Sequence, residues 1–226
     1  MPLISESLEI QLSDSIATIW MNRPERHNAF NPDLIQALHD AFRALGEDES
    51  VRVVVLAGRG RSFSAGADLA WMKAAGEASE AENQADALKL AAMLRAIAEC
   101  PKPTVARVHG AALGGGMGLA CACDICIASS EAVFATSEVR FGIIPAAIGP
   151  YVLRAIGPRQ AGRYFLTAER ISAQRAREIG LAHEAVAPEA LDATLAQVVG
   201  SLAQGGPQAQ AAAKDLIRAV AHQPVT

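Results

Sequence analysis

Apolar and polar residues alternate through "LEIQLSDSIATIWMN" on either side of Ser13 and Asp14, and this period of two predicts a β-hairpin. The period then changes. In "NPDLIQALHDAFRAL" the apolar residues Leu34, Leu38, Ala41 and Leu45 fall on one helical face, with Asn31 placed as N-cap and Pro32 at the first helical position. "VRVVVLA" (51–57) reads as a buried strand. Leu90, Leu94 and Ile97 give helical spacing over 80–99, before "PKPTVARVHG" opens another strand and "DICIA" supplies a third buried one. Strand, long connection, helix, strand recurs, which predicts parallel βαβ units.

The second half turns helical, through "AAIGPYVLRAIG", "PRQAGRYFLTA", "SAQRAREIG" and "GPQAQAAAKDLIRAVA", with "AHEAVA" as a short strand. No Pro- or Ser-rich linker divides the halves, so residues 1–226 read as one α/β domain. A net charge of −4 leaves no basic footprint for nucleic acid, so an anionic ligand must be met by local charges or backbone amides. No apolar run reaches membrane-spanning length, and "MPLISESLEIQL" lacks the pattern of a signal peptide; no membrane role and a cytoplasmic location are expected. Cys100, Cys121, Cys123 and Cys126 are expected to be packed, reduced thiols, with no metal bound.

"AALGGGMGLACACDI" (111–125) sets three consecutive glycines against an apolar run. Glycine inside a helix costs roughly 1 kcal/mol against alanine, so such a run at an element boundary points to tight geometry or to close approach by a ligand or another helix. A second turn, "GRSFSAGADLAWM" (60–72), follows the strand at 51–57. There Ser64, Ala65, Gly66 and Ala67 are small enough to bring main-chain N–H groups to a ligand, and Asp68 is placed to cap a helix from Leu69. Turns that follow neighbouring parallel strands emerge at one sheet edge, where ligands of α/β folds bind. Two N–H groups converging on one oxygen form an oxyanion hole, which suits a thioester carbonyl becoming an enolate. Spacing alone fits two ordinary helix entries as well. Neither turn is followed by "GKS" or "GKT", which argues against a nucleotide phosphate site.

The blocks "MNRPERHNAF", "GRSFSAGADLAWM", "KPTVARVHGAALGGGMGLACACDICIA", "FATSEVRFGIIP" and "LTAERISAQRAREIGLAHEAV", in this order, resemble the crotonase or enoyl-CoA hydratase/isomerase superfamily from about residue 8 onward. The resemblance implies a spiral of ββα units over about 1–190, a helical trimerisation region beginning at about 191, and a trimer or dimer of trimers. It also implies an acyl-CoA substrate and no separate cofactor, since coenzyme A enters as part of the thioester. Carried over by position, it assigns the oxyanion-hole amides to Ala67 and Gly115. It places acyl-CoA contacts at Arg26, Ala29, Ser64, Ala65, Asp68, Leu69 and Gly114, with Arg26 as the phosphate partner; Trp71 and Met72 are expected to wall the acyl pocket. The chain ends at Thr226, short of the resembling family, which implies a truncated chain or a reduced lid.

The acid/base positions depart from the family pattern. Hydratases of this family generally carry one glutamate in a "GGGxELA" block and another in "FxxPE". Here the second is Glu138 in "TSEVRFG", and the first position is Gly118. One glutamate suffices for syn hydration, taking a proton from water and returning it to Cα, so Glu138 is the expected catalytic residue. A single carboxylate equally suits a Δ3–Δ2 enoyl isomerase, and a member that only binds acyl-CoA is a further alternative. "GGGMGL" and "SEVRFGIIPAAIGPYV" resemble the bacterial methylglutaconyl-CoA hydratases, whose substrate carries a distal carboxylate. That carboxylate is expected to occupy part of the space left at Gly118. Arg140 is a candidate partner for it, although surface exposure is the simpler expectation; His109 is expected to pack or hydrogen-bond rather than act as a base.

Overall fold

The computed structural model describes residues 5–221. The hairpin is present as β1 (Leu8–Ser13) and β2 (Ile16–Met21), paired antiparallel, with Asp14 at φ +52° in the turn. Helix α1 (Pro32–Glu47) follows, and the Asn31 side chain accepts a hydrogen bond from Leu34 N as an N-cap should. Next come β3 (Val53–Gly58), α2 (Leu69–Glu77), α3 (Glu80–Ala98) and β4 (Thr104–Val108). The glycine-rich stretch is β5 (Ala111–Leu113) running into α4 (Gly115–Ala122), then β6 (Ile125–Ser129) and β7 (Val133–Ala135). The remainder is α5 (Gly149–Thr167), β8 (Ile171–Ser172), α6 (Ala173–Glu178), β9 (Glu184–Val186), α7 (Leu191–Gln204) and α8 (Pro207–Val220).

The strands form a six-stranded sheet ordered β1-β2-β3-β4-β6-β9, parallel from β2 onward, and a smaller sheet ordered β5-β7-β8. The apolar run of β3 now has a cause. Val54 and Leu56 enter the main core with Leu34, Leu38 and Met117, while Val53 and Val55 point the other way, into a second cluster with Val105, Ile127 and Val199 of α7. Each fully buried valine or leucine contributes about 1.5–3 kcal/mol, so covering both faces fixes this strand at the sheet centre. The spacing of Leu191, Leu195, Val198, Val199 and Leu202 is what lets α7 cover that second face.

Two expected helices, "AAIGPYVLRAIG" and "PRQAGRYFLTA", are the two halves of α5, broken at Gly157 (φ +70°) ahead of Pro158. The four cysteines are buried and unpaired. Burial pushes the Cys121 thiol up to about 12, and those of Cys123 and Cys126 also upward, so none carries thiolate near neutral pH. Among the described residues no helix is long and apolar enough to cross a membrane.

Candidate active site

The two small-residue turns lie against each other because the backbone bonds them together. Ser64 N donates to Ala111 O at 3.0 Å, and Leu113 N donates to Ser64 O at 2.9 Å, so the turn after β3 is stitched to β5. On its other side, Phe30 N donates to Gly66 O at 2.6 Å and Asp68 N donates to Phe30 O at 2.8 Å. This double anchoring permits only glycine at 66. The residue has φ +87°, and a Cβ there would lie 2.7 Å from Leu113 O and 3.4 Å from Gly115 N. Ala67 and Gly115 therefore stand side by side where the two turns meet. Among the described residues neither of their N–H groups has a hydrogen-bond acceptor, and both residues line a cavity of about 660 Å³.

Glu138 faces them from a short 3-10 turn (Glu138–Phe141) that follows β7. Gly114 has φ +50°, a backbone that favours glycine, and a Cβ on it would sit 3.3 Å from Glu138 Oε1. Oε2 of the same carboxylate is buried and has no hydrogen-bond partner among the described residues. Burial pushes the Glu138 carboxyl above the usual range, opposed only in part by the main-chain N–H groups of Glu138 and Ser137. The result is a carboxyl with an open lone pair in an apolar setting, its affinity for a proton raised by burial, the arrangement that suits a group that takes and returns a proton.

The cavity also carries Arg26, Ala29, Ala65, Asp68, Leu69, Trp71 and Met72 at its walls, as the sequence led us to expect. Ser64 does not reach it. Its N–H and C=O hold β5, its hydroxyl donates to Asn28 O at 2.8 Å, and the residue is fully buried, so its part is to fix the turn rather than to touch a ligand. Asp68 caps α2 through Ala70 N and pairs with Arg23 at 3.2 Å; the Ala70 N–H first, and Arg23 after it, hold its carboxyl below the usual range. Asp68 is therefore a permanent anion engaged by the protein. Trp71 donates from Nε1 to Asp86 at 3.3 Å, which orients its ring in the wall.

Of the other candidates, His109 is outside the cavity, its Nε2 in hydrogen-bond contact with Gly60 O at 2.9 Å. Arg140 is exposed at the cavity edge, two residues after Glu138 in the same 3-10 turn, and makes no ion pair among the described residues. The space at Gly118 is not open. A Cβ there would lie 2.2 Å from Ile148 Cγ2, so Ile148 already fills the place where the distal carboxylate of a substrate was expected.

Sequence reasoning missed three contributors. Asn28 is fully buried at φ +54°; its side chain accepts from Arg23 N and donates to Arg59 O and Ser62 O, organising the loop that carries Arg26 and Ala29. Arg23, the partner of Asp68 and of Ala29 O, lies on the same loop. Ile148 lines the cavity from the start of α5. The Asn in "RPERHNAF" was the one available signal, because asparagine tolerates a left-handed backbone.

The enoyl-CoA hydratase/isomerase family model matches residues 11–225. The chain belongs to the enoyl-CoA hydratase/isomerase family. An enoyl-CoA hydratase from Shewanella pealeana superposes with a TM-score of 0.94 at 38% identity, over 97% of this chain and 82% of that one. Crotonyl-CoA hydratase of Syntrophomonas wolfei is 36% identical over 89% of this chain and 77% of its own length. A trans-2-decenoyl-[acyl-carrier-protein] isomerase of Streptococcus mutans is 30% identical over 91% of this chain and 79% of its own. The fold is thus crotonase-like, as the ordered sequence blocks implied, and the protein is an enzyme of the acyl-CoA hydratase type.

Proposed function

We propose that the protein hydrates an α,β-unsaturated acyl-CoA with Glu138 as its single acid/base. The thioester oxygen accepts hydrogen bonds from Ala67 N and Gly115 N. Glu138 takes a proton from water as the oxygen adds to Cβ, the electron pair moves to the thioester oxygen as an enolate, and the protonated carboxyl returns that proton to Cα from the same face. The observation that carries this reading is the buried Oε2 of Glu138, without a partner among the described residues, on a carboxyl beside Gly114, in a cavity whose other buried carboxylate, Asp68, is engaged by Arg23 and a helix N-terminus. Arg26 at the mouth is the proposed partner of the CoA phosphates. No cofactor is required beyond the coenzyme A of the substrate. A homotrimer or dimer of trimers, located in the cytoplasm, belongs to the same proposal.

The acyl group we propose is 3-methylglutaconyl. Its support is the sequence pattern around Gly118 and Ile148 and Arg140 at the cavity edge, without an ion pair among the described residues and suited to a distal carboxylate. The second reading is Δ3–Δ2 isomerisation, which also needs one carboxylate; the closure of Gly118 by Ile148 and the isomerase relative favour it. A spectrophotometric comparison of 3-methylglutaconyl-CoA, crotonyl-CoA and a 3-enoyl-CoA separates them. The expected result is kcat/KM at least about tenfold higher for 3-methylglutaconyl-CoA than for crotonyl-CoA, roughly 1.4 kcal/mol of differential transition-state binding. Turnover of the 3-enoyl-CoA alone establishes the isomerase, and binding of all three without turnover establishes a binding protein.

A further inference from the structure

Ile148 is held on one side and faces the acyl cavity on the other. It immediately precedes α5, is 2% exposed, and lines the same cavity as Glu138. Behind it lies Gly118 of α4, so close that a Cβ on the glycine would meet Ile148 Cγ2 at 2.2 Å and Cβ at 2.7 Å. The side chain cannot retreat toward α4, and its branched Cβ restricts χ1, so this part of the wall is stiff. Elsewhere the apolar lining has room to adapt: Leu69, Phe141 and Ile144 are all more than half exposed.

We propose that the Gly118–Ile148 contact determines which acyl groups the enzyme accepts, with Ile148 closing the cavity on the α4 side against long straight chains and admitting compact ones. This rests on the acyl-CoA reading above and specifies its substrate class. Two consequences follow from the contact. Shortening Ile148 opens the cavity toward α4. Adding a methyl at 118 drives Ile148 the only way it can go, into the cavity.

Binding of saturated thioesters, which undergo no hydration, tests this apart from the chemistry. Calorimetric affinities for isovaleryl-CoA and decanoyl-CoA are taken relative to free CoA. The wild type is expected to favour isovaleryl-CoA, and Ile148→Ala to shift the ratio toward decanoyl-CoA by about tenfold, the scale of a methylene or two in an apolar pocket. Ile148→Val, which loses one carbon, should shift it in the same direction by less, and serves if the alanine variant does not fold. Gly118→Ala should weaken isovaleryl-CoA binding relative to free CoA, and Gly118→Ala/Ile148→Ala should restore it, a coupling that a purely structural role would not produce. An unchanged ratio in both Ile148 variants overturns the proposal while leaving the hydratase reading intact. If neither thioester binds better than free CoA, the acyl-CoA reading fails and this one with it.

Discussion

The two sides of the active site are built by different means. On one, Ala67 and Gly115 present main-chain N–H groups whose positions are set by hydrogen bonds between the Ser64–Asp68 turn, Phe30 and β5. On the other, Glu138 and Ile148 present side chains from a 3-10 turn and a helix start, and what matters there is chemical identity and shape. The first side is indifferent to most side chains and intolerant of any Cβ at Gly66. The second presents one carboxylate and one branched apolar side chain, Glu138 and Ile148. A backbone site is thus encoded by what the sequence leaves out, and a side-chain site by what it puts in.

The largest effect expected from this contrast is at Glu138. Glu138→Gln preserves size and polarity but cannot exchange the proton, so kcat should fall about 10²–10⁴-fold while acyl-CoA binding persists. Solvent-deuterium incorporation at Cα should fall in parallel. Wild-type hydration and exchange in this variant would remove Glu138 from the mechanism and leave the backbone side as the whole of the site.

Next comes the backbone side. Gly66→Ala forces a left-handed residue to carry a Cβ 2.7 Å from Leu113 O, so the two turns must part and the paired N–H groups with them. The expected loss in kcat/KM is about 10²–10³-fold, the scale of one oxyanion donor at ~2.7–4 kcal/mol. Ala67→Ser, which alters only a side chain, should remain within about threefold of wild type, because the donor is the main chain. Equal losses in the two variants would break the distinction between the two sides.

The smallest effect is on stability. Glu138 has a raised carboxyl pKa through burial, so the folded state holds its proton more tightly than the unfolded chain does. Between the unfolded value and the raised folded one, the native state binds more protons, and stability falls as pH rises through that window. Glu138→Gln removes the penalty. Its Tm should exceed that of wild type near neutral pH by less than about 4 °C, the shift that 1 kcal/mol gives a chain of this size, and the difference should vanish below the ordinary glutamate range. A wild type more stable than Glu138→Gln near neutral pH would mean that the carboxylate is stabilised rather than strained by its surroundings.

Much of this molecule was legible in the sequence because it is written in local patterns. The Asn31 cap with Pro32, the period-two hairpin around Asp14 and the apolar strand read at 51–57, which forms as Val53–Gly58, depend on neighbours a few residues apart. The glycines at 66 and 114–116 announced close approach, and the ordered family blocks pointed to Ala67, Gly115 and Glu138, which line one cavity. What approaches them could not be read locally. That Ser64 bonds β5 rather than a ligand, that Asn28 holds the loop of Arg26, and that Ile148 fills the space over Gly118 are contacts between residues thirty or more positions apart. Such contacts depend on the order of strands in the sheet and on the packing of α4 against α5. Spacing along the chain carries no information about them, because close packing is decided only when the elements meet.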